Sequence, residues 1–204
     1  ALTPADIAKK FVSKTKGVAS AEEALEGARH IIIEQISETP EIVGAVREKM
    51  WKEGKVRSGV VKGKAEEGAK FSDYFDFDQP IEGLPSHRLL ALLRGEKEGV
   101  LKLGLDIPHA DGRAHPAVAT VMHKAGIARK GRAADEWLAA TAEAAWKTRL
   151  APACTNDLFA RVKERADAEA IKVFSTNVKD LLLAAPAGPK AVMGLDPGIR
   201  TGCK

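Results

Sequence analysis

Apolar positions recur at helical spacing over most of this chain and alternate over only a few short stretches. Thr3-Pro4-Ala5-Asp6 supplies an N-cap, a first-turn proline and an acid three residues on, which predicts a helix from Pro4 to about Ser13. Ser20-Ala21-Glu22-Glu23 is a capping box, and Leu25, Ala28, Ile32 and Ile36 follow with helical periodicity to about Glu38. Thr39-Pro40 opens a third helix whose apolar face is Ile42, Val43, Val46 and Met50, and Gly54 closes it. Ser86 to Gly95 forms another, burying Leu89, Leu92 and Leu93, and Pro116 to Ala125 one more. From Ala133 to Ala185 nearly everything reads helical, with a break or kink at Pro152, a cap at Thr155 or Asn156, and an apolar stripe of Leu158, Val162, Ile171, Phe174, Val178 and Leu181.

Alternation is sparse. Gly99 to Leu105 is the convincing strand before the C-terminus, and a single strand needs a partner. The segment from Val56 to Val61 is the candidate for a small hairpin or loop pairing. Between them, Phe71, Tyr74 and Phe75 stand among Asp73, Asp76 and Asp78; acids repel phosphate, so these rings are expected to pack against the helical body rather than stack on bases. The fold class is therefore mainly α: a multi-helical, orthogonal or bundle-like array with one small β pairing and a truncated C-terminal strand.

Composition adds limits. Hydrophobic residues at 45% and charged residues at 29% suit an ordinary globular core. A net charge of +4, from 32 basic and 28 acidic side chains, is too balanced to imply a nucleic-acid partner, so local clustering must carry that argument. Two isolated cysteines, Cys154 and Cys203, lack metal-type spacing and fit a reducing cytoplasm. No apolar run reaches the length of a membrane span, so no membrane role is expected.

Two basic segments emerge. Lys55, Arg57, Lys62 and Lys64 follow the third helix, and Lys124 with Arg129, Lys130 and Arg132 surrounds the Ile127 loop. Each could face phosphate or simply stay solvated, and the sequence leaves both readings open. Arg88 and Arg94 are expected to brace an acidic loop. His109, Asp111, His115 and His123 match no recognised ligand spacing and are read as surface or capping groups, so no cofactor is expected. The chain ends on Ala191-Val192-Met193-Gly194-Leu195-Asp196-Pro197-Gly198, an apolar run expected to be a strand that presents Asp196 at a Pro-Gly turn. A strand followed by Asp-x-Gly opens Mg²⁺-dependent nucleic-acid enzymes of the RNase H and resolvase type. Such chemistry needs further carboxylates, so Asp196 is read as a degenerate metal candidate at the start of a domain that continues beyond this piece.

Six blocks, taken in order, resemble the bacterial Tex family of transcription accessory proteins: Glu67-Gly68-Ala69-Lys70-Phe71-Ser72-Asp73-Tyr74-Phe75, Pro85-Ser86-His87-Arg88, Arg94-Gly95 with Glu98-Gly99-Val100-Leu101, Gly131-Arg132-Ala133-Ala134-Asp135, Asp180 through Pro189, and Gly194 through Gly202. The resemblance implies a larger parent with a helical N-terminal region, a resolvase-like YqgF domain, helix-hairpin-helix elements and a C-terminal OB-fold that binds RNA. Residues 1–185 would then be the helical region, with a sub-boundary near 54–64, residues 186–190 a linker, and 191–204 the truncated start of the YqgF domain. The expected function is a noncatalytic scaffold in a nucleic-acid-binding transcription factor, with RNA polymerase or other transcription proteins as further partners. The competing readings are part of a Mg²⁺-dependent nuclease and a purely protein-binding helical module.

Overall fold

The computed structural model describes residues 2–13, 15, 17–110, 112–186, 188–195, 197–198 and 202–203. Helix α1 (Pro4–Ala8) starts at Thr3, whose hydroxyl accepts the Asp6 N–H while the Asp6 carboxylate accepts the Thr3 N–H. It is shorter than its periodicity suggests, because Lys9–Phe11 tightens into a 3₁₀ turn. Ser20 caps α2 (Ala21–Glu38) by accepting the Glu23 N–H at 3.2 Å. Pro40 opens α3 (Pro40–Glu53), and Ile42, Val46 and Met50 recur every fourth residue on its buried side. Gly54 ends it where a Cβ would lie 2.2 Å from the Met50 carbonyl oxygen, so no larger residue fits that close approach.

Strands β1 (Lys55–Val60), β2 (Asp76–Pro80) and β3 (Leu101–Asp106) form an antiparallel sheet in the order β2-β1-β3. The expected partnership of β1 with β3 is observed, with Lys55 opposite Asp106 and Val60 opposite Leu101. A third strand, β2, was not anticipated from the sequence, since Asp76-Phe77-Asp78-Gln79-Pro80 carries one inward apolar residue and ends on proline. Proline is tolerated there because β2 is an edge strand. One face of the sheet is buried through Val56, Phe77 and Leu101, and Ser58 on that face donates its hydroxyl to the Tyr74 carbonyl. Of the preceding aromatic cluster, Phe71 is buried and Tyr74 and Phe75 are half-buried, as expected.

Helix α4 (Ser86–Lys97) buries Leu89, Leu92 and Gly95 and packs on β3, with Gly95 against Leu101. Pro85, not Ser86, is its capping position, and Arg94 pairs with Glu98 of the same helix end at 2.9 Å instead of bracing a distant loop. Helix α5 (Pro116–Lys124) covers α3, and α6 (Asp135–Ala145) packs on α2 through alanines small enough for close approach.

The expected break at Pro152 takes another form. Helix α6 passes without a cap into a π-turn (Trp146–Leu150), in which the Ala151 N–H reaches back five residues to the Trp146 carbonyl, and then into α7 (Ala151–Leu182). A proline inside an α-helix clashes with the carbonyl four residues earlier, and the wider turn relieves that clash. Neither Thr155 nor Asn156 caps anything. The chain divides into two units, Ala1–Glu169 and Ala170–Lys204. In the first, α7 buries Cys154, Leu158, Val162 and Ala166 at every fourth position. In the second, Ile171, Phe174 and Leu181 are exposed, so the continuous buried stripe expected from the sequence ends at Ala166. Residues 191–195 form no strand; two short segments, β4 (Pro197–Gly198) and β5 (Gly202–Cys203), pair antiparallel instead. A lone strand has no ladder partner to hold it extended. Asp196, Asp111, Arg200 and Thr201 lie outside the described residues. Among the described residues no helix is long and apolar enough to cross a membrane.

Candidate nucleic-acid surface and an aspartate-histidine cluster

The alternation of β1 sends Lys55 and Arg57 to the sheet face opposite the core, and the register sets Arg57 against Asp78 of β2. Asp78 accepts from both: Lys55 Nζ lies 3.1 Å from Oδ1 and Arg57 Nε 3.2 Å from Oδ2. The Lys55 ammonium, followed by Arg57, holds the Asp78 carboxyl below its ordinary range. Lys64 is likewise paired with Glu67 at 2.5 Å, leaving Lys62 exposed with no ion pair among the described residues. Three of the four cations of this segment are thus partly cancelled by nearby acids.

The second segment is organised around a carboxylate. Asp135 is only 3% exposed and accepts the backbone N–H groups of Lys130 at 2.5 Å and Arg132 at 3.0 Å, while Arg132 Nε donates to its other oxygen at 2.8 Å. The Arg132 amide first, then the Lys130 amide and the Arg132 side chain, hold this carboxyl below its ordinary range against the opposing effect of burial. Gly131, at φ 76°, supplies the turn that lets both amides converge on one side chain. Arg129 pairs with Glu136 at 3.2 Å, and the side chains of Lys124 and Lys130 have no ion pair among the described residues. The basic loop is therefore a structural knot with two cations to spare. Asp135 is its centre; the signal available in sequence was an acid in the first turn of a helix after a Gly-Arg pair.

A second constellation gathers residues that sequence spacing separates. Asp106 ends β3, His115 caps α5, and His109 sits in the loop between them; one donor atom from each lies within 4.8 Å of the others. His115 Nδ1 accepts the Ala117 N–H at 3.1 Å, so Nε2 bears the proton and donates to Asp106 Oδ1 at 2.7 Å. His109 Nδ1 donates to the Ile107 carbonyl at 2.9 Å. The His115 ring stacks on Trp146 of the π-turn with centroids 4.8 Å apart. His115 is thus a capping histidine, as expected, while Asp106 was missed because it closes a strand nine residues away. His123, in the last turn of α5, is not part of the cluster.

An apolar groove of about 580 Å³ runs between α1, α2 and α6, lined by Ile7, Phe11, Leu25, Ile31, Trp137 and Leu138. Phe11 is 66% exposed and Ile31 57% exposed within it, unusual for side chains of that size.

A family model described as Tex central region-like matches residues 1–174. The chain is 43% identical over 211 residues to "Protein tex" of Bordetella pertussis, covering 100% of this chain and 27% of that protein. It is also 43% identical over 191 residues to "Transcriptional accessory protein Tex" of Neisseria gonorrhoeae, covering 93% of this chain and 25% of the relative. A more distant human protein, "S1 RNA-binding domain-containing protein 1", is 25% identical over 199 residues, with 93% of this chain and 20% of that protein covered. The chain therefore spans about a quarter of the length of these Tex relatives. With nearly its whole length matched, the chain belongs to the Tex central region-like family.

Proposed function

We propose that this chain is a noncatalytic helical frame within a cytoplasmic transcription accessory factor, and that it touches nucleic acid weakly through the cations of its two basic segments that nearby acids leave free. The observation that carries this reading is the 43% identity extending over 93% of the chain to a relative named as a transcriptional accessory protein. Lys62, Lys124 and Lys130 are the side chains of the two basic segments available for phosphate, while Lys55, Arg57, Lys64, Arg129 and Arg132 already face carboxylates. Residues 1–185 form the frame in this reading, 186–190 a linker, and 191–204 the opening of a resolvase-like domain in which Asp196 would be the first carboxylate. A gel-shift titration with labelled RNA and duplex DNA at low and at physiological salt tests it. Weak binding that fades as salt rises is expected, because phosphate contacts release counterions; tight binding indifferent to salt contradicts it.

A second reading, a helical module that binds protein, is favoured by the exposed apolar groove between α1, α2 and α6. Charge reversal at Lys62, Lys124 and Lys130 separates the two: unchanged nucleic-acid affinity supports the protein-binding module.

A further inference from the structure

We propose that Asp106, His109 and His115 form a binding site for a borderline transition-metal ion such as Zn²⁺. Their three donor atoms already lie within 4.8 Å of one another, and bonds of about 2.0–2.2 Å to one ion would set them roughly 3.3 Å apart, opening the 2.7 Å Asp106–His115 pair by a shift that side-chain rotation supplies. Two imidazoles and one carboxylate select Zn²⁺, Co²⁺ or Ni²⁺ over Mg²⁺ and Ca²⁺, which prefer oxygen alone.

The surroundings are arranged as those of a ligand set are. His109 gives its Nδ1 proton to the Ile107 carbonyl, which fixes the tautomer and leaves the Nε2 lone pair free, the usual state of a metal-bound histidine. Asp106 is steadied by the Ile107 N–H at 2.9 Å, and His115 is held flat against Trp146. The side chain of His115 is 13% exposed and that of Asp106 46% exposed, so the site is walled on one side and open on the other to an arriving ion.

One rearrangement accompanies loading. In the free chain His115 Nε2 carries the proton that bonds Asp106, and Nδ1 accepts the Ala117 amide. When the ion takes Nε2, that proton passes to Nδ1, the Ala117 amide gives up its cap, and the Asp106 oxygen exchanges a proton donor for the metal. No net proton is released by His115 in this exchange. Because the ion competes with a helix cap, affinity is about fivefold weaker than it would be at a free imidazole.

The test is titration of the chelator-treated chain with Zn²⁺ by calorimetry and with Co²⁺ by visible absorption. One ion per chain is expected, with the intense visible bands of a four-coordinate Co²⁺ and no competition from millimolar Mg²⁺. Asp106→Asn, His109→Ala and His115→Asn are each expected to weaken binding tenfold or more, while His123→Ala leaves it unchanged. Asparagine at 115 retains a capping side chain, and His109 makes no cap, so at least one variant reports on the metal without unfolding α5. Absence of uptake, or uptake that survives Asp106→Asn and His109→Ala, overturns the proposal.

Discussion

Gly95 and Gly44 offer the same substitution with opposite outcomes. Both lie inside helices, and alanine in place of glycine there ordinarily adds about 1 kcal/mol of stability by restricting the unfolded backbone. At Gly44, on the exposed side of α3, a Cβ meets nothing within 4 Å, so the full gain is expected. At Gly95 it would sit 2.5 Å from Leu101 Cδ1 and 2.8 Å from Leu101 Cγ, a full ångström inside normal contact. Leu101 cannot step aside easily: it is 2% exposed and held on β3 opposite Val60. Overpacking of this kind costs about 1–3 kcal/mol. The backbone gain is common to both variants, so the gap between Gly44→Ala and Gly95→Ala isolates the steric cost. Urea or thermal unfolding should place Gly95→Ala below Gly44→Ala by that amount, at roughly 2–4 °C in Tm per kcal/mol for a chain of this size. Adding Leu101→Ala to Gly95→Ala should recover part of the steric cost, so that the pair is less destabilised than the sum of its single changes. Equal stability of the two glycine variants would refute the close packing of α4 on β3.

Other consequences follow from single side chains. Asp135→Asn should destabilise the chain by an amount that is constant near neutral pH and shrinks in acid. The sign follows from a folded carboxyl held below its ordinary value of 3.8: its stabilisation is present above that value and is lost as pH falls through the lowered one, which denaturant titrations between about pH 3 and 7 would register. Leu158→Ala, at a position fully buried on α7, should cost about 2–5 kcal/mol, whereas Leu181→Ala, at an exposed position, should stay within about 0.5 kcal/mol in the same denaturation assay. Asp78→Asn releases Lys55 and Arg57 together, and filter binding should then show tighter, more salt-sensitive association with nucleic acid; an unchanged curve would take the sheet face out of the contact.

Local chemistry made much of the fold legible. Thr3 with Asp6, Ser20 with Glu23, and Pro40 with Gly54 each announce a helix boundary through a group that satisfies or removes a terminal amide, and the boundaries of α2 and α3 lie where those residues put them. What depends on distant partners was hidden. β2 exists because β1 offers a ladder to a segment with almost no strand signature of its own. Pro152 gave notice of a discontinuity, but its resolution by a π-turn rather than a cap depends on the packing of Trp146 and Leu150. In the candidate surfaces, a count of basic residues could not show that Asp78 faces two of them across a strand pair or that Asp135 gathers a loop. The joining of Asp106 to His109 and His115 likewise comes from the return of the chain after β3, a feature with no period to read.

The reading of this chain as a frame whose two basic segments are mostly paired with acids is tested most directly by the slope of binding affinity against salt concentration. If Lys62, Lys124 and Lys130 alone carry the contact, a slope near −0.9 per duplex phosphate contacted makes log K against log salt fall with a slope of roughly −2 to −3. A slope several units steeper would mean that cations beyond these three also reach phosphate, and tight binding with a slope near zero would mean that recognition rests on something other than charge; either result contradicts the account.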